Sequence, residues 1–290
     1  MKRKVRSTPK GRPVDASALA EVQALLDDAP RRRDLLIEHL HRINDRYGHL
    51  SAAHMAALAQ EMKLSQTEVY EVATFYHHFD VVKEGGTPPP PLTVRVCDSI
   101  ACELAGANEL LKMNLGKDVR VLHAPCVGRC EVAPCVVVGQ NPVGNATVEK
   151  VRDAVSQRKV TCEETKYVDF AEYRKAGGYK LIADCLTGKH TRDAITKVME
   201  DSGLRGLGGA GFPTGRKWRL VAAEPEPRLM AVNIDEGEPG TFKDRWYLER
   251  DPHRFLEGML IAAWCAGISE IYIYLRDEYA GCRAILEREL

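Results

Sequence analysis

Three features that this chain of 290 residues lacks exclude several classes of protein. No stretch approaches the roughly eighteen consecutive apolar residues of a transmembrane helix, so no membrane span is predicted. The 41 basic and 41 acidic side chains give a formal net charge of zero, which excludes an overall cationic field for nucleic acid or anionic lipid. The basic N-terminus MKRKVRSTPKGRPVD has no apolar stretch after it, so we expect no secretory signal and a cytoplasmic protein.

The one local departure from neutrality is a basic arm within residues 1–14. We interpret this arm as a solvated tail, and a docking arm for a partner is the alternative. Its basic residues are Lys2, Arg3, Lys4, Arg6, Lys10 and Arg12.

Cysteine, in contrast, is abundant: the chain has nine, and five of them lie in CDSIAC and CVGRCEVAPC. In a reducing compartment, clustered cysteines indicate a metal or redox site more than disulfides, and an odd number argues against complete pairing. The spacing C-x4-C is at the edge of the zinc pattern and also occurs in some [2Fe–2S] proteins. Spacing alone leaves a zinc site, a [2Fe–2S] cluster and buried free cysteines open.

Periodicity divides the chain into a helical bundle at residues 15–82 and two α/β segments at residues 92–158 and 165–290. The stretch KEGGTPPPP is a linker, because its prolines and glycines suit neither a helix nor a central strand. VTCEETKYVDFAEYRKAGGYK is the expected boundary between the last two segments. His77 and His78 are interpreted as residues at the end of a helix and not as ligands.

Strands alternate with helices in the first α/β segment, which predicts a small α/β layer. LTVRVC, VRVLHA and CVVVGQ are the predicted strands, NPVG is a predicted turn, and ATVEKVRDAVSQ is the closing helix. Cys97 and Cys126 each follow the C-terminal end of a strand, where α/β sheets bind their ligands. This placement favours a functional role for both cysteines.

Two polar segments of residues 165–290 are candidate binding sites. GLGGAG matches G-x-G-x-x-G, but a helix precedes it where the dinucleotide fingerprint requires a strand. Its glycines still let backbone amides approach an anionic group, with Lys217 adding charge, and a tight helix–helix turn is the alternative. IDEGEPG has three carboxylates, which could hold a hard metal ion, accept hydrogen bonds from ribose hydroxyls or form a solvated turn. These carboxylates belong to Asp235, Glu236 and Glu238.

The two cysteine motifs together resemble the thioredoxin-like [2Fe–2S] ferredoxin domain, whose pattern is C-x4-C followed by C-x-G-x-C-x-x-A-P. In respiratory complex I this domain belongs to the ferredoxin subunit that accompanies the flavoprotein. The resemblance extends from about residue 34 to about residue 155 and implies four cluster ligands: Cys97, Cys102, Cys126 and Cys130. Outside the motif, the cysteines interpreted as core residues are Cys135, Cys162, Cys185, Cys265 and Cys282.

LRGLGGAGFPTGRKW and NIDEGEPGTFKDR are similar to the NADH-oxidising flavoprotein subunit of complex I. This resemblance implies an α/β domain that binds FMN and NAD(H), of which residues 165–290 are the N-terminal part. The implied roles are FMN contact by Gly206, Gly208, Gly209 and Lys217, flavin binding by Asn233, Asp235 and Glu236, stacking on the nicotinamide nucleotide by Phe212 and ribose contact by Glu238. Leu207 replaces the family's usual arginine, so a charge contact is lost there.

The fusion of these two domains is similar to the β subunit of NAD-dependent formate dehydrogenases. The equivalent subunit of NAD-reducing hydrogenases or of complex I-like NADH dehydrogenases is the alternative. We favour the first because of RDLLIEHLHRI, FDVVKEG and GGAGFPTGRKW. The resemblance implies electron transfer between iron–sulfur centres, FMN and NAD(H), with a molybdenum- or tungsten-containing catalytic subunit as partner. No residue is identified as a nucleophile or acid–base catalyst.

A non-enzymatic [2Fe–2S] scaffold protein and a zinc-binding structural module stay open as other classes. The flavoprotein family continues with a G-E-E segment, a ubiquitin-like domain and a [4Fe–4S] domain that these 290 residues do not contain. We therefore expect half a flavin site in a fragment of a longer subunit. The chain alone is expected to oxidise NADH far more slowly than a complete subunit.

Overall fold

A computed structural model describes residues 13–163 and 165–290, so the basic residues of the predicted arm lie outside the described residues. Within the described part, no helix combines the length and apolarity needed to cross a bilayer. The chain forms two compact units. The first runs up to Val94 and includes Asn114–Ala124, and the second consists of Arg95–Met113 and Pro125–Leu290. The domain bounds and the cytoplasmic location stay predictions.

Helices predominate over strands in the described residues. The helices are α1 (Ala16–Leu26), α2 (Leu36–Tyr47), α3 (Ala52–Met62), α4 (Gln66–Phe75), α5 (Ile100–Leu104), α6 (Ala107–Leu110), α7 (Val148–Ser156), α8 (Phe170–Lys175), α9 (Lys180–Leu186), α10 (Arg192–Asp201), α11 (Thr214–Ala222), α12 (Lys243–Leu248), α13 (Pro252–Ala266) and α14 (Ala280–Glu289). The strands are β1 (Leu50–Ser51), β2 (Val81–Val82), β3 (Leu92–Cys97), β4 (Val119–Ala124), β5 (Val136–Val138), β6 (Asn141–Val143), β7 (Arg228–Ile234) and β8 (Ile268–Leu275).

Helices α1–α4 form the predicted bundle in the first unit. Three of them begin where a side-chain oxygen accepts a hydrogen bond from an unpaired helical N–H, at Asp15, Ser51 and Ser65. Helix α2 ends at Gly48, whose φ of 72° lies in the left-handed region that favours glycine. The fully buried core residues of this bundle include Val22, Leu26, Leu40, Ile43, Leu50, Leu58 and Val69.

The predicted α/β layer comprises β4 and the start of β3 in the first unit and β5 and β6 in the second, where β5 and β6 pair antiparallel. The prediction of a turn at NPVG is wrong, because Asn141–Val143 pairs antiparallel with β5 as strand β6. The chain has already reversed at Gly139, whose φ is 64°, so the residues after it are free to pair.

In the second unit, β7 and β8 pair in parallel from Arg228 and Ile268 to Ile234 and Leu275, with one register shift between Arg228 and Leu229. Parallel neighbours need a long crossover, which here contains α12 and α13. Helix α13 begins after Asp251, whose carboxylate accepts from the Arg254 N–H, and it ends at Gly267. These elements pack around a core of Ile234, Leu248, Leu256, Tyr279, Cys282 and Leu286.

Candidate functional site

The four cysteines of the two motifs come together in the second unit. Cys97 ends β3, Cys102 lies on the short helix α5, and Cys126 and Cys130 lie in the loop that follows β4. All four are free cysteines, and the first three are buried. The structure thus gathers the residues that the sequence motifs predicted as ligands.

Hydrogen bonds link the four sulfurs to one another and to backbone amides. The Sγ atoms of Cys126 and Cys130 are 3.6 Å apart, and the Cys97 thiol is hydrogen-bonded to both Cys102 and Cys126. The N–H of Cys135 donates to Cys102 Sγ at 3.4 Å. Because N–H donors stabilise negative charge on sulfur, such contacts suit thiolate ligands.

The arrangement fits a dinuclear centre better than a single zinc ion. Four thiolates around one zinc ion would all lie about 3.8 Å apart, given tetrahedral geometry and its usual Zn–S distance. In the second unit, no three of these four sulfurs lie within 4.8 Å of one another. A [2Fe–2S] cluster takes two thiolates on each of two irons and therefore requires a wider set.

Without metal, most of these thiols hold their protons. The pKa of Cys126 is raised by the hydrogen bond with Cys97 and then by burial, and burial raises the pKa of Cys130. The pKa of Cys102 is lowered, chiefly because the Cys97 thiol is hydrogen-bonded to it. Burial raises the pKa of Cys135 to about 12. Cluster insertion therefore has to release protons, since the ligands are thiolates.

The loop between Cys126 and Cys130 is anchored by residues more than a hundred positions away. A Cβ on Gly128, whose φ is 66°, would lie 2.4 Å from the Tyr279 hydroxyl, so a larger residue would clash. Arg276 Nη2 donates to the carbonyl of Cys126, and Arg245 Nε donates to that of Gly128 at 3.0 Å. This close approach is a physical reason for the glycine of C-x-G-x-C.

Arg245 also belongs to a buried network of four charges. Its guanidinium pairs with Glu131 and, at 2.8 Å, with Glu249, which in turn pairs with Arg129 at 2.8 Å. Arg245 is only 2% exposed. Two positive and two negative groups balance, as buried charges require. The network ties helix α12 to the second cysteine loop.

The glycine loop at residues 206–211 is open to solvent. The N–H of Gly206 donates to the carbonyl of Phe212 at 2.9 Å, which closes the loop, and Gly209 has a φ of 99°. A Cβ on Gly208 or Gly209 would meet no atom within 4 Å, so packing within the chain does not require glycine at either position. An external group could approach the backbone there, as an anion cradle requires. Lys217 is exposed on α11.

The four predicted site residues at the end of β7 and in the acidic turn after it fall into two groups. Asn233, Asp235 and Glu238 are exposed, and Asn233 Oδ1 accepts from the Asp235 N–H at 2.9 Å. The side chain of Glu236 is instead fully buried. Outside this turn, the predicted site residue Phe212 is also exposed, by 42%. Three of the four side chains of this turn therefore remain accessible to a ligand.

The Glu236 carboxylate is occupied by groups of this chain. It accepts from the N–H of Asp244 at 2.9 Å and from the Tyr279 hydroxyl at 3.0 Å. Burial opposes its ionisation, but these donors, the Arg245 N–H and the charge of Lys243 outweigh burial and lower its pKa. Any flavin contact at this position would therefore be made by the backbone of Glu236. Glu236 stabilises folding at neutral pH and loses this effect as pH falls.

One direct contact joins the cysteine site to the acidic turn. The N–H of Gly240 donates to Cys130 Sγ at 3.1 Å. Sequence reasoning missed this contact and the anchoring residues Arg245, Arg276 and Tyr279. No periodicity or motif in the sequence marks these residues, because a buried arginine and an exposed one cannot be distinguished in a sequence.

Comparison with protein families identifies both segments. Residues 22–159 match the thioredoxin-like [2Fe-2S] ferredoxin family, and residues 199–290 match the Nuo51 FMN-binding domain. The chain is therefore a fusion of a thioredoxin-like [2Fe–2S] domain and an FMN-binding domain. This confirms the predicted fold class and the predicted [2Fe–2S] and FMN cofactors.

Individual relatives match most or part of the chain. The chain is 30% identical to the alpha subunit of the NAD-reducing hydrogenase HoxS of Cupriavidus necator, over 93% of the chain and 50% of the relative. It is 48% identical to one of the subunits of the NADH-quinone oxidoreductase of Rhizobium meliloti, over 37% of the chain and 25% of the relative. A crystal structure of an air-oxidised NAD+-reducing [NiFe]-hydrogenase superposes with a TM-score of 0.70 at 28% identity, covering 88% of the chain and 48% of the hydrogenase chain. The chain spans half or less of the length of these relatives.

Proposed function

We propose that this fused ferredoxin–flavoprotein chain is the diaphorase part of a multi-subunit oxidoreductase and transfers electrons between NAD(H), FMN and its [2Fe–2S] cluster. The observation that carries the proposal is the hydrogen bond from Gly240 to Cys130, since it joins the acidic turn to the cysteine site within one compact unit. The NAD-linked relatives support NAD(H) as the substrate.

Bound FMN supplies the exchange between a two-electron hydride and one-electron iron–sulfur centres. The chain's own residues bind the flavin and the nicotinamide nucleotide and orient them. The glycine loop offers backbone amides to the flavin phosphate, and Lys217 adds a positive charge. Phe212 offers a ring face to the nicotinamide nucleotide, and Glu238 accepts from its ribose. Asn233 and Asp235 contact the flavin through side chains, and Glu236 through its backbone.

The relatives favour a hydrogenase or complex I-like assembly over formate dehydrogenase. The relative that covers 93% of the chain is a subunit of an NAD-reducing hydrogenase, and no formate dehydrogenase is among the similar proteins described above. Formate dehydrogenase, with its molybdenum or tungsten subunit, stays the second candidate because of the sequence resemblance alone. The candidates share the electron path through this chain and differ in the redox subunit with which it exchanges electrons.

An affinity tag on this chain in its native cell would test both levels of the proposal. We expect the purified assembly to contain FMN and iron and to reduce a viologen dye with NADH. Hydrogen or formate, whichever reduces NAD+ in the same sample, then identifies the catalytic partner. Iron without flavin, together with no NADH-dependent reduction, would contradict the proposal and favour the non-enzymatic scaffold.

Replacing Lys217 by alanine is expected to weaken FMN binding by that assembly about ten- to a hundredfold, because one charge-assisted hydrogen bond contributes roughly 1.5–3 kcal/mol. The measurement is flavin released on serial dilution. Lys197→Ala is the matched control, since this exposed lysine on α10 pairs with Asp201 at 3.1 Å and is not a predicted site residue. Equal flavin retention in both variants would remove Lys217 from the site.

A further inference from the structure

The first unit contains a cluster of metal-ligating side chains that the electron-transfer proposal does not use. His41 and Asp45 lie one turn apart on α2, and His78 follows the end of α4. One ligand atom of each lies within 4.8 Å of those of the other two. Positions four apart on a helix share a face, so α2 presents the first two ligands side by side.

The surroundings of the two imidazole rings suit a metal site. The ring of buried Phe79 lies 4.7 Å from the His41 ring and 5.6 Å from the His78 ring, centroid to centroid, and forms an apolar wall. Asn44 Nδ2 lies 3.4 Å from His78 Nε2. A histidine ligand usually binds metal through one nitrogen and donates the N–H of the other, so Asn44 provides this second contact only with its amide turned to present Oδ1, a buried oxygen with no hydrogen-bond partner among the described residues.

In place of the sequence-based interpretation of His78 as a non-ligand, we propose that His41, Asp45 and His78 bind a divalent transition-metal ion of the zinc class. Two imidazole nitrogens exclude a calcium or magnesium site, because those ions prefer oxygen ligands. Zinc accepts two histidines and a carboxylate, with water completing the coordination. The ion would connect α2 to the segment after α4, and so stabilise the helical bundle. This site is separate from the cysteines and is independent of the proposed electron transfer.

The pair His77 and His78 provides a matched test within the full chain. The brown, iron-loaded 290-residue protein is dialysed against Zn²⁺, and zinc and iron are measured in the same sample. We expect one zinc per chain in addition to the iron. His41→Gln and His78→Gln should each weaken zinc binding by more than about tenfold, because a direct ligand is lost. His77→Gln should bind as the wild type does, since His77 is exposed and outside the cluster.

A second measurement separates this site from zinc bound by cysteine. Zn²⁺ should raise the unfolding temperature of the wild type and of His77→Gln in a concentration-dependent way, and should not raise that of His78→Gln. Asp45→Asn tests the carboxylate without disturbing the core, because Asp45 is exposed. Wild-type zinc affinity in His41→Gln or His78→Gln would overturn the proposal, and so would iron-loaded wild type that binds no zinc.

Discussion

Replacing Cys126 by serine is expected to reduce the iron content from about two per chain by tenfold or more and to abolish the brown colour. Cys126 is buried at the centre of the site, and its sulfur is hydrogen-bonded to Cys97 and lies 3.6 Å from that of Cys130. Serine offers a hard oxygen that binds iron of such clusters poorly. Iron analysis and visible absorption of the purified full chain measure the effect.

Cys135→Ser is the matched control for this experiment. Cys135 is also fully buried and lies close to the site, yet it contributes its backbone N–H to Cys102 Sγ. Its own Sγ is directed to the carbonyl of Val136, 4.0 Å away. Serine keeps the backbone donor, so iron should remain near wild-type content. Equal iron loss in both variants would show that the ligand assignment is wrong.

Replacing Arg245 by alanine is expected to lower the free energy of unfolding of the second unit by about 3–5 kcal/mol, since it leaves the carboxylates of Glu131 and Glu249 with Arg129 as the one remaining cation of the network. For a unit of this size, that loss corresponds to a fall of roughly 6–20 °C in unfolding temperature. The variant also removes the donor to the Gly128 carbonyl, so the cysteine loop should lose iron faster on heating. Calorimetry and iron release measure the two effects.

Arg254→Ala is the control for burial. Arg254 Nε also pairs with a carboxylate, that of Asp251 at 2.7 Å, but its side chain is 76% exposed. Exposed pairs contribute about 0–1 kcal/mol, so the unfolding temperature should change by no more than a few degrees. A similar loss of stability in both arginine variants would contradict the importance of the buried network.

Local patterns predicted the elements well and singled out the four cysteines that the structure brings together, because both depend on neighbours in sequence. The helices of the bundle follow from periodicity and from caps such as Ser51 and Gly48. The predicted cysteine ligands follow from short motifs. NPVG was misjudged because a proline-containing segment can form a short edge strand when the preceding glycine makes the turn.

The long-range contacts of buried polar groups could not be predicted from the sequence. Glu236 resembles its acidic neighbours in the sequence, yet it alone turns inward, where helix α12 and Tyr279 provide its donors. Which carboxylate of a cluster is buried depends on the fold around it. The same holds for Arg276, whose hydrogen bond to the Cys126 carbonyl joins residues 150 positions apart.

The contacts between the cysteine loop and its distant anchors have a consequence for dilute protein. Two separate chains lose translational and rotational freedom when they associate, at a cost of about 4–15 kcal/mol. Here Gly240, Arg245 and Arg276 belong to the same polypeptide as the loop, so their association is unimolecular. Covalent connection sets a fixed effective concentration that dilution does not change. The loop therefore keeps its donors at protein concentrations at which a two-chain version of the same interface would dissociate.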